Sequence, residues 1–166
     1  MMEKDETTLQ RIIRLSTCEP SECHCERCRQ MCHVPCLGTP EDIERLVDAG
    51  YADRLRPTEW LVGCLIGLFS RPIYMIQPDT VNGWCTFYHN GLCELHDQGL
   101  KPTEGKLTRH DDVATHGKVP LENNVTFLVA KEWTEDRNFY TIMRICNKIA
   151  NQAKHEHKHI SHQQQR

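Results

Sequence analysis

Hydrophobic side chains recur along this chain at spacings that predict several short helices before any strand. Between Thr7 and Leu15, four apolar residues are interspersed with polar and charged ones, which predicts a short amphipathic helix. A second helix is predicted to begin at Pro40, because Thr39 is a good capping residue and Asp42 follows three residues after it. Gly50 is expected to end that helix.

The middle of the chain contains apolar runs bounded by turn residues. The pattern predicts a helix over Thr58–Phe69 and then a strand over Ile73–Ile76. Two further strands, Trp84–Tyr88 and Leu92–Leu95, flank an Asn-Gly pair at Asn90, which is a strong signal for a β-hairpin.

The last third of the chain is predicted to be loop, then helix, then tail. Residues 101–120 have the scattered proline, glycine and charged residues of a loop. Two helices are expected after it, one ending near Trp133 and one over about Thr134–Ala153. These elements would form one domain over 1–154. Residues 155–166 are rich in histidine and glutamine and are expected to be a flexible tail that binds nickel or zinc only adventitiously.

Composition narrows the classes of protein to which this chain could belong. The 166 residues carry 20 basic and 23 acidic side chains, a net charge of -3, so the basic excess of a nucleic-acid-binding surface is missing. The N-terminus is acidic and polar, unlike a secretory signal, and the longest apolar stretch, Trp60–Phe69, is about half of a membrane span. The chain is therefore predicted to be cytoplasmic and not bound to a membrane.

Ten cysteines are the most distinctive feature of the composition. In a reducing compartment, closely spaced thiols favour metal binding over disulfides. Five of them fall within fourteen residues, at Cys23, Cys25, Cys28, Cys32 and Cys36. The last four have spacings of 3, 4 and 4 residues among polar neighbours, so we predict that Cys25, Cys28, Cys32 and Cys36 are metal ligands.

A second cysteine group lies in the predicted hairpin. Cys85 and Cys93 would approach each other at its base, either as metal ligands or as small residues of an ordinary core. His96 and His110 are further candidates. Thiolates with nearby imidazole suit zinc, whereas thiolates alone also suit an iron–sulfur cluster, and both alternatives stay open.

Two motifs resemble those of the zinc- or iron-chelating cysteine-cluster family of the YkgJ type. The first is Cys25-x2-Cys28-x3-Cys32 leading to Cys36, and the second is Cys85-Thr-Phe…Gly-Leu-Cys93. The resemblance extends over roughly residues 20–150 and strengthens Cys85 and Cys93 as ligands. One departure is Gly105, which stands where the family commonly has another cysteine.

Together these observations predict a mostly α domain with a small β-hairpin, centred on a metal. The predicted function is that of a cytoplasmic metal-binding protein, with zinc as the first choice and an iron–sulfur cluster as the alternative. A metal- or cluster-dependent enzyme acting on protein side chains, and linked to their methylation, is a second hypothesis, which the resemblance alone implies. No glycine-rich phosphate loop and no Gly-x-Ser-x-Gly elbow are found in the sequence.

Overall fold

The computed structural model describes residues 6–22, 26, 30, 32–62, 73–108 and 119–163, with the backbone alone for 153–163. The described helices are α1 (Thr8–Ser16), α2 (Pro40–Asp48), α3 (Thr103–Lys106), α4 (Val125–Glu132) and α5 (Phe139–Gln163). The described strands are β1 (Leu55–Leu61), β2 (Tyr74–Pro78), β3 (Thr80–Val81), β4 (Trp84–Cys85), β5 (Tyr88–His89) and β6 (Leu92–Cys93). Single 3-10 turns occur at Ala52–Arg54, Leu121–Asn123 and Asp136–Asn138.

The first two predicted helices are confirmed, together with the predicted cap at Thr39; a second capping box, at Thr7, was not predicted. In α1 the Thr7 hydroxyl accepts a hydrogen bond from the Gln10 backbone, and the Gln10 side chain accepts one in return from the Thr7 backbone. In α2 the same reciprocal pair forms between Thr39 and Asp42. Both boxes satisfy amide groups that no helical carbonyl can reach, which is why the sequence locates these helix starts well.

The helix predicted over Thr58–Phe69 is wrong at Thr58–Leu61, because Leu55–Leu61 is a strand. It pairs with β2 in antiparallel register, from Leu55 opposite Pro78 to Leu61 opposite Tyr74. The Thr58 hydroxyl accepts a hydrogen bond from the Met75 backbone at 3.2 Å, which ties the two strands together where their register shifts. Pairing with a distant segment outweighed the local apolar pattern here. Residues 63–70 lie outside the described residues.

The strand predicted over Ile73–Ile76 is confirmed as β2, and the hairpin around Asn90 is confirmed but shorter than predicted. Tyr88 pairs with Cys93 across the Asn-Gly turn. Trp84–Cys85 pairs instead with Thr80–Val81 across a second Asn-Gly turn, at Asn82 and Gly83. All four turn residues have positive φ, as this tight type of hairpin requires.

The C-terminal helices differ from the prediction mainly at their ends. As predicted, α4 ends beside Trp133, whereas the last helix begins at Phe139 after a 3-10 turn and continues to Gln163. The loop predicted over 101–120 contains the short helix α3, and residues 109–118 lie outside the described residues. The helical backbone therefore extends through most of the segment predicted to be a flexible tail.

One apolar core joins the helices to the strand pairs. Its most completely buried side chains come from the helices, the strands and the turns between them. They include Ile12, Ile43, Met75, Phe87, Leu95, Val129, Trp133 and Ile145. The Trp133 indole N–H donates a hydrogen bond of 2.9 Å to the Gly38 carbonyl, just before α2. Within the described residues, no helix combines the length and the apolar character needed to span a membrane.

The predicted fold class, mostly α with one β-hairpin around a metal, is wrong. The described residues contain three two-stranded antiparallel sheets beside the helices, so the fold is a small mixed one of helices and strands. Its centre is the apolar core. No three Cys, His, Asp or Glu side chains in the described part of the chain are arranged, as they stand, to hold a metal ion.

Candidate metal-binding site

Four of the six predicted metal ligands lie around one small cavity. Cys32, Cys36, Cys85 and Cys93 all line a space of about 10 Å³, close to the volume of a single water position. These cysteines come from three separate parts of the chain: the segment before α2, strand β4 and strand β6. We call this cluster the thiol site. Cys25 and Cys28 lie outside the described residues, so their part in it stays a prediction.

Backbone hydrogen bonds hold the strands against the segment that carries Cys32 and Cys36. The Cys85 N–H donates to the carbonyl of His33 at 2.8 Å, which joins β4 directly to that segment. The His33 ring packs on Trp84 and Tyr88, with centroid distances of 3.7 and 4.7 Å. Residues next to the cysteines in sequence, His33 and Trp84, therefore hold the two cysteine-bearing segments together.

Glu104 fixes the other end of the cysteine segment. Its carboxylate accepts hydrogen bonds from the Leu37 N–H at 2.7 Å and from the Thr126 hydroxyl at 2.6 Å. Its own N–H donates to the Leu37 carbonyl at 3.0 Å. A single side chain thus ties the residue after Cys36 to helix α4, and places a negative charge close to that thiol.

Arg54 supports the hairpin that carries Cys93. Its guanidinium lies 3.9 Å from the centroid of the Phe87 ring, bonds to the Thr86 carbonyl and forms an ion pair with Glu94. An arginine stacked on an aromatic ring and paired with a carboxylate in a partly buried place is a well-ordered contact. Arg54 therefore fixes the strands on both sides of Phe87.

The thiols of the site influence each other's ionisation. A hydrogen bond between Cys32 and Cys93 raises the pKa of Cys32 and lowers the pKa of Cys93, so Cys32 is the donor and Cys93 the more readily ionised sulfur. Burial raises the pKa of Cys36, with a further contribution from Glu104, and burial also raises the pKa of Cys85. A metal ion would have to displace the remaining protons.

Lys101 places a positive charge beside these thiols. Its side chain is almost fully buried, at 4% exposure, and it lines the same cavity. The ammonium group acts to lower the pKa of Cys32, Cys36 and Cys93, against the effects of burial. A positive charge at this position favours the thiolate forms of these three cysteines.

Sequence reasoning found the cysteines but not the contacts that position them. Glu104 and Arg54 bond to residues far away in the sequence, and no local pattern marks Arg54. Among the other candidates, His96 is exposed and does not line the cavity. His110 lies outside the described residues.

The chain was compared with protein-family models, with curated proteins and with solved structures. It matches none of the three. The resemblance to the cysteine-cluster family therefore stays a prediction.

Proposed function

We propose that this chain is a metal-binding protein that holds zinc, or alternatively an iron–sulfur cluster, through the thiol site. The observation that supports this proposal is the convergence of Cys32, Cys36, Cys85 and Cys93 on one cavity. Four thiolates form a complete ligand set for either metal centre. Cys25 and Cys28 are proposed to contribute further thiolates.

An ordinary core is the competing explanation for buried cysteines, because a free cysteine packs as a small hydrophobic residue. Two features favour ligands. The four cysteines come from three separate parts of the chain and still meet at one cavity. Lys101 lines the same cavity, and its positive charge favours the thiolate forms of Cys32, Cys36 and Cys93.

Metal binding is proposed to draw the ligands inward. The described side chains do not yet form a group of three ready ligands. The segment carrying Cys32 and Cys36 and the two hairpins would therefore move closer around the ion, which couples metal binding to the stability of this part of the fold.

The test is metal content together with thermal stability of the full chain, purified without oxygen. We expect the Cys32→Ser/Cys93→Ser double variant to lose metal and to melt at a lower temperature than the wild type. Cys18→Ser is the matched control, because Cys18 is as buried as Cys32, both at 6% exposure, but does not line the cavity. It should lose stability and keep its metal.

Elemental analysis and an absorption spectrum of the same samples separate zinc from iron, since an iron–sulfur cluster absorbs visible light and zinc does not. If the double variant keeps the metal content and melting temperature of the wild type, the thiol site is an ordinary core and the proposal is wrong.

A further inference from the structure

One face of helix α5 is apolar and open to solvent near the start of the helix. Phe139 is 57% exposed and Met143 45%, and Cys146 and Ala150 are exposed as well. An α-helix turns by about 100° per residue, so these four side chains fall within an arc of about 60°. We call this set the α5 stripe. Contiguous apolar surface of this kind commonly marks an interaction site.

The α5 stripe is separate from the side of α5 that packs on its own domain. Ile145 is fully buried, and Ile142 and Ile149 pack against the apolar core. All three lie outside the arc of the stripe when the helix is viewed along its axis. The stripe is therefore surface that the folding of a single chain leaves exposed.

The α5 stripe carries no charge, and the two cations in this part of the helix are paired within the chain. Arg144 forms an ion pair with Glu44, and Lys148 forms one with Asp48, both acids belonging to α2. An uncharged face can meet an identical face without repulsion between like charges. That is what a two-fold contact between copies requires, because each residue near the axis meets its own counterpart.

The order of the side chains in the α5 stripe fits a second copy in antiparallel orientation. The spacings of 4, 3 and 4 residues are those of the a and d positions in a coiled-coil seam. With a two-fold axis midway between Met143 and Cys146, Phe139 lies opposite Ala150 of the second copy and Met143 lies opposite Cys146 of the second copy. Each large side chain then meets a smaller one, as interdigitated packing requires. A parallel pair would set each Phe139 against the other and leave a gap between the two Ala150 methyl groups.

We infer that the α5 stripe is the interface of an antiparallel homodimer. Tyr140, 75% exposed, borders the stripe and packs edge to face against Phe139. An aromatic side chain presents about 150–250 Å², so these two residues leave roughly 200–330 Å² exposed in each copy. With the rest of the stripe, this is about half of the roughly 800 Å² that each partner buries in a standard interface. The dimer is therefore weak, and its population depends on concentration.

The first test is sedimentation equilibrium of the full chain under reducing conditions, at concentrations up to about 1 mM. We expect the dissociation constant of the dimer to rise at least about 10-fold in Met143→Asp, because two like charges would then lie beside the axis. Ala150→Glu is a second variant, at an exposed position where glutamate is a good helix former. Leu121→Asp is the matched control, since Leu121 is a large apolar residue, 60% exposed, outside α5. It should dimerise like the wild type.

Cross-linking tests the orientation of the two copies. In the antiparallel pair the two Cys146 residues are about 4.5 Å apart along the helices, within reach of a short bismaleimide. A cross-linked dimer should form in the wild type and be lost in Cys146→Ser, whereas Cys146→Ser should still dimerise in the centrifuge.

Several results would overturn the inference. One is a chain that stays monomeric up to about 1 mM. Another is a dimer that neither Met143→Asp nor Ala150→Glu weakens, or that Leu121→Asp weakens equally. Cross-linking that is absent in the wild type, or undiminished in Cys146→Ser, rules out the antiparallel arrangement.

Discussion

At the scale of single residues, the thiol site depends on a glycine as much as on its cysteines. Gly105 lies in α3, and a Cβ atom there would lie 2.7 Å from Cε of Lys101 and 3.0 Å from Sγ of Cys36. Both distances are shorter than normal van der Waals contacts, so Gly105 leaves the space in which the Lys101 chain and the Cys36 thiol pack.

Gly105→Ala tests this packing, because the space around the residue decides whether the substitution raises or lowers the thermal stability. In a helix with free space, alanine in place of glycine stabilises by about 1 kcal/mol. Here we expect a loss of thermal stability and weaker zinc binding, because Lys101 and Cys36 must both move. Thermal unfolding with and without zinc measures the two effects. An increase in melting temperature would contradict the packing argument.

At the scale of elements, two Asn-Gly turns set the positions of Cys85 and Cys93. Gly83 and Gly91 have φ of +80° and +84°, and nothing lies within 4 Å of a Cβ atom placed on either of them. The cost of replacing either glycine by a larger residue therefore comes from the backbone conformation and not from a steric clash. The two-residue strands beside each turn are too short to keep their register without it.

Gly83→Ala and Gly91→Ala should each cost about 1 kcal/mol or slightly more in the free energy of unfolding, and should weaken zinc binding. Gly50→Ala is a matched control. It has the same kind of backbone, with φ of +90° and open space, but it ends α2 and lies in neither hairpin. It should cost similar stability and leave zinc affinity unchanged. Equal zinc affinity in all three variants would show that the hairpin turns do not position the thiols.

At the scale of the whole molecule, the C-terminal helices support the cysteine segment from a distance. The hydrogen bond from the Trp133 indole to the Gly38 carbonyl connects the end of α4 to a residue two positions after Cys36. Glu104 makes a second connection, through Leu37 and Thr126. The thiol site is thus joined to the apolar core although it is not the centre of the fold.

Trp133→Phe should leave the Gly38 carbonyl buried without its donor and should cost about 1–3 kcal/mol of stability. Loss of zinc affinity is expected with it, because the cysteine segment is no longer fixed at that point. Trp60→Phe is the control, since Trp60 is 37% exposed and lies on β1. Urea unfolding of both variants measures the difference, and equal costs would argue against a special role for the indole hydrogen bond.

The sequence by itself determined the features that depend on a few neighbouring residues. The capping box at Thr39 and the turn at Asn90 were predicted correctly, because the atoms that form each of them lie within four positions along the chain. The capping box at Thr7 is equally local but was not predicted. The Asn82 turn has the same Asn-Gly pattern and could have been found in the same way. The proposal that the cysteines are metal ligands also rests on residue type and spacing.

Only the tertiary structure decided which distant segments meet. Residues 58–61 have an apolar pattern that fits a helix, and they form a strand because β2 supplies backbone partners from across the chain. The contact of Cys32 with Cys93 likewise joins residues about sixty positions apart in the sequence. Lys101 lines the same cavity as both cysteines, although it is still further from Cys32 along the chain. Such contacts are set by the packing of the whole chain, and a local pattern carries no information about them.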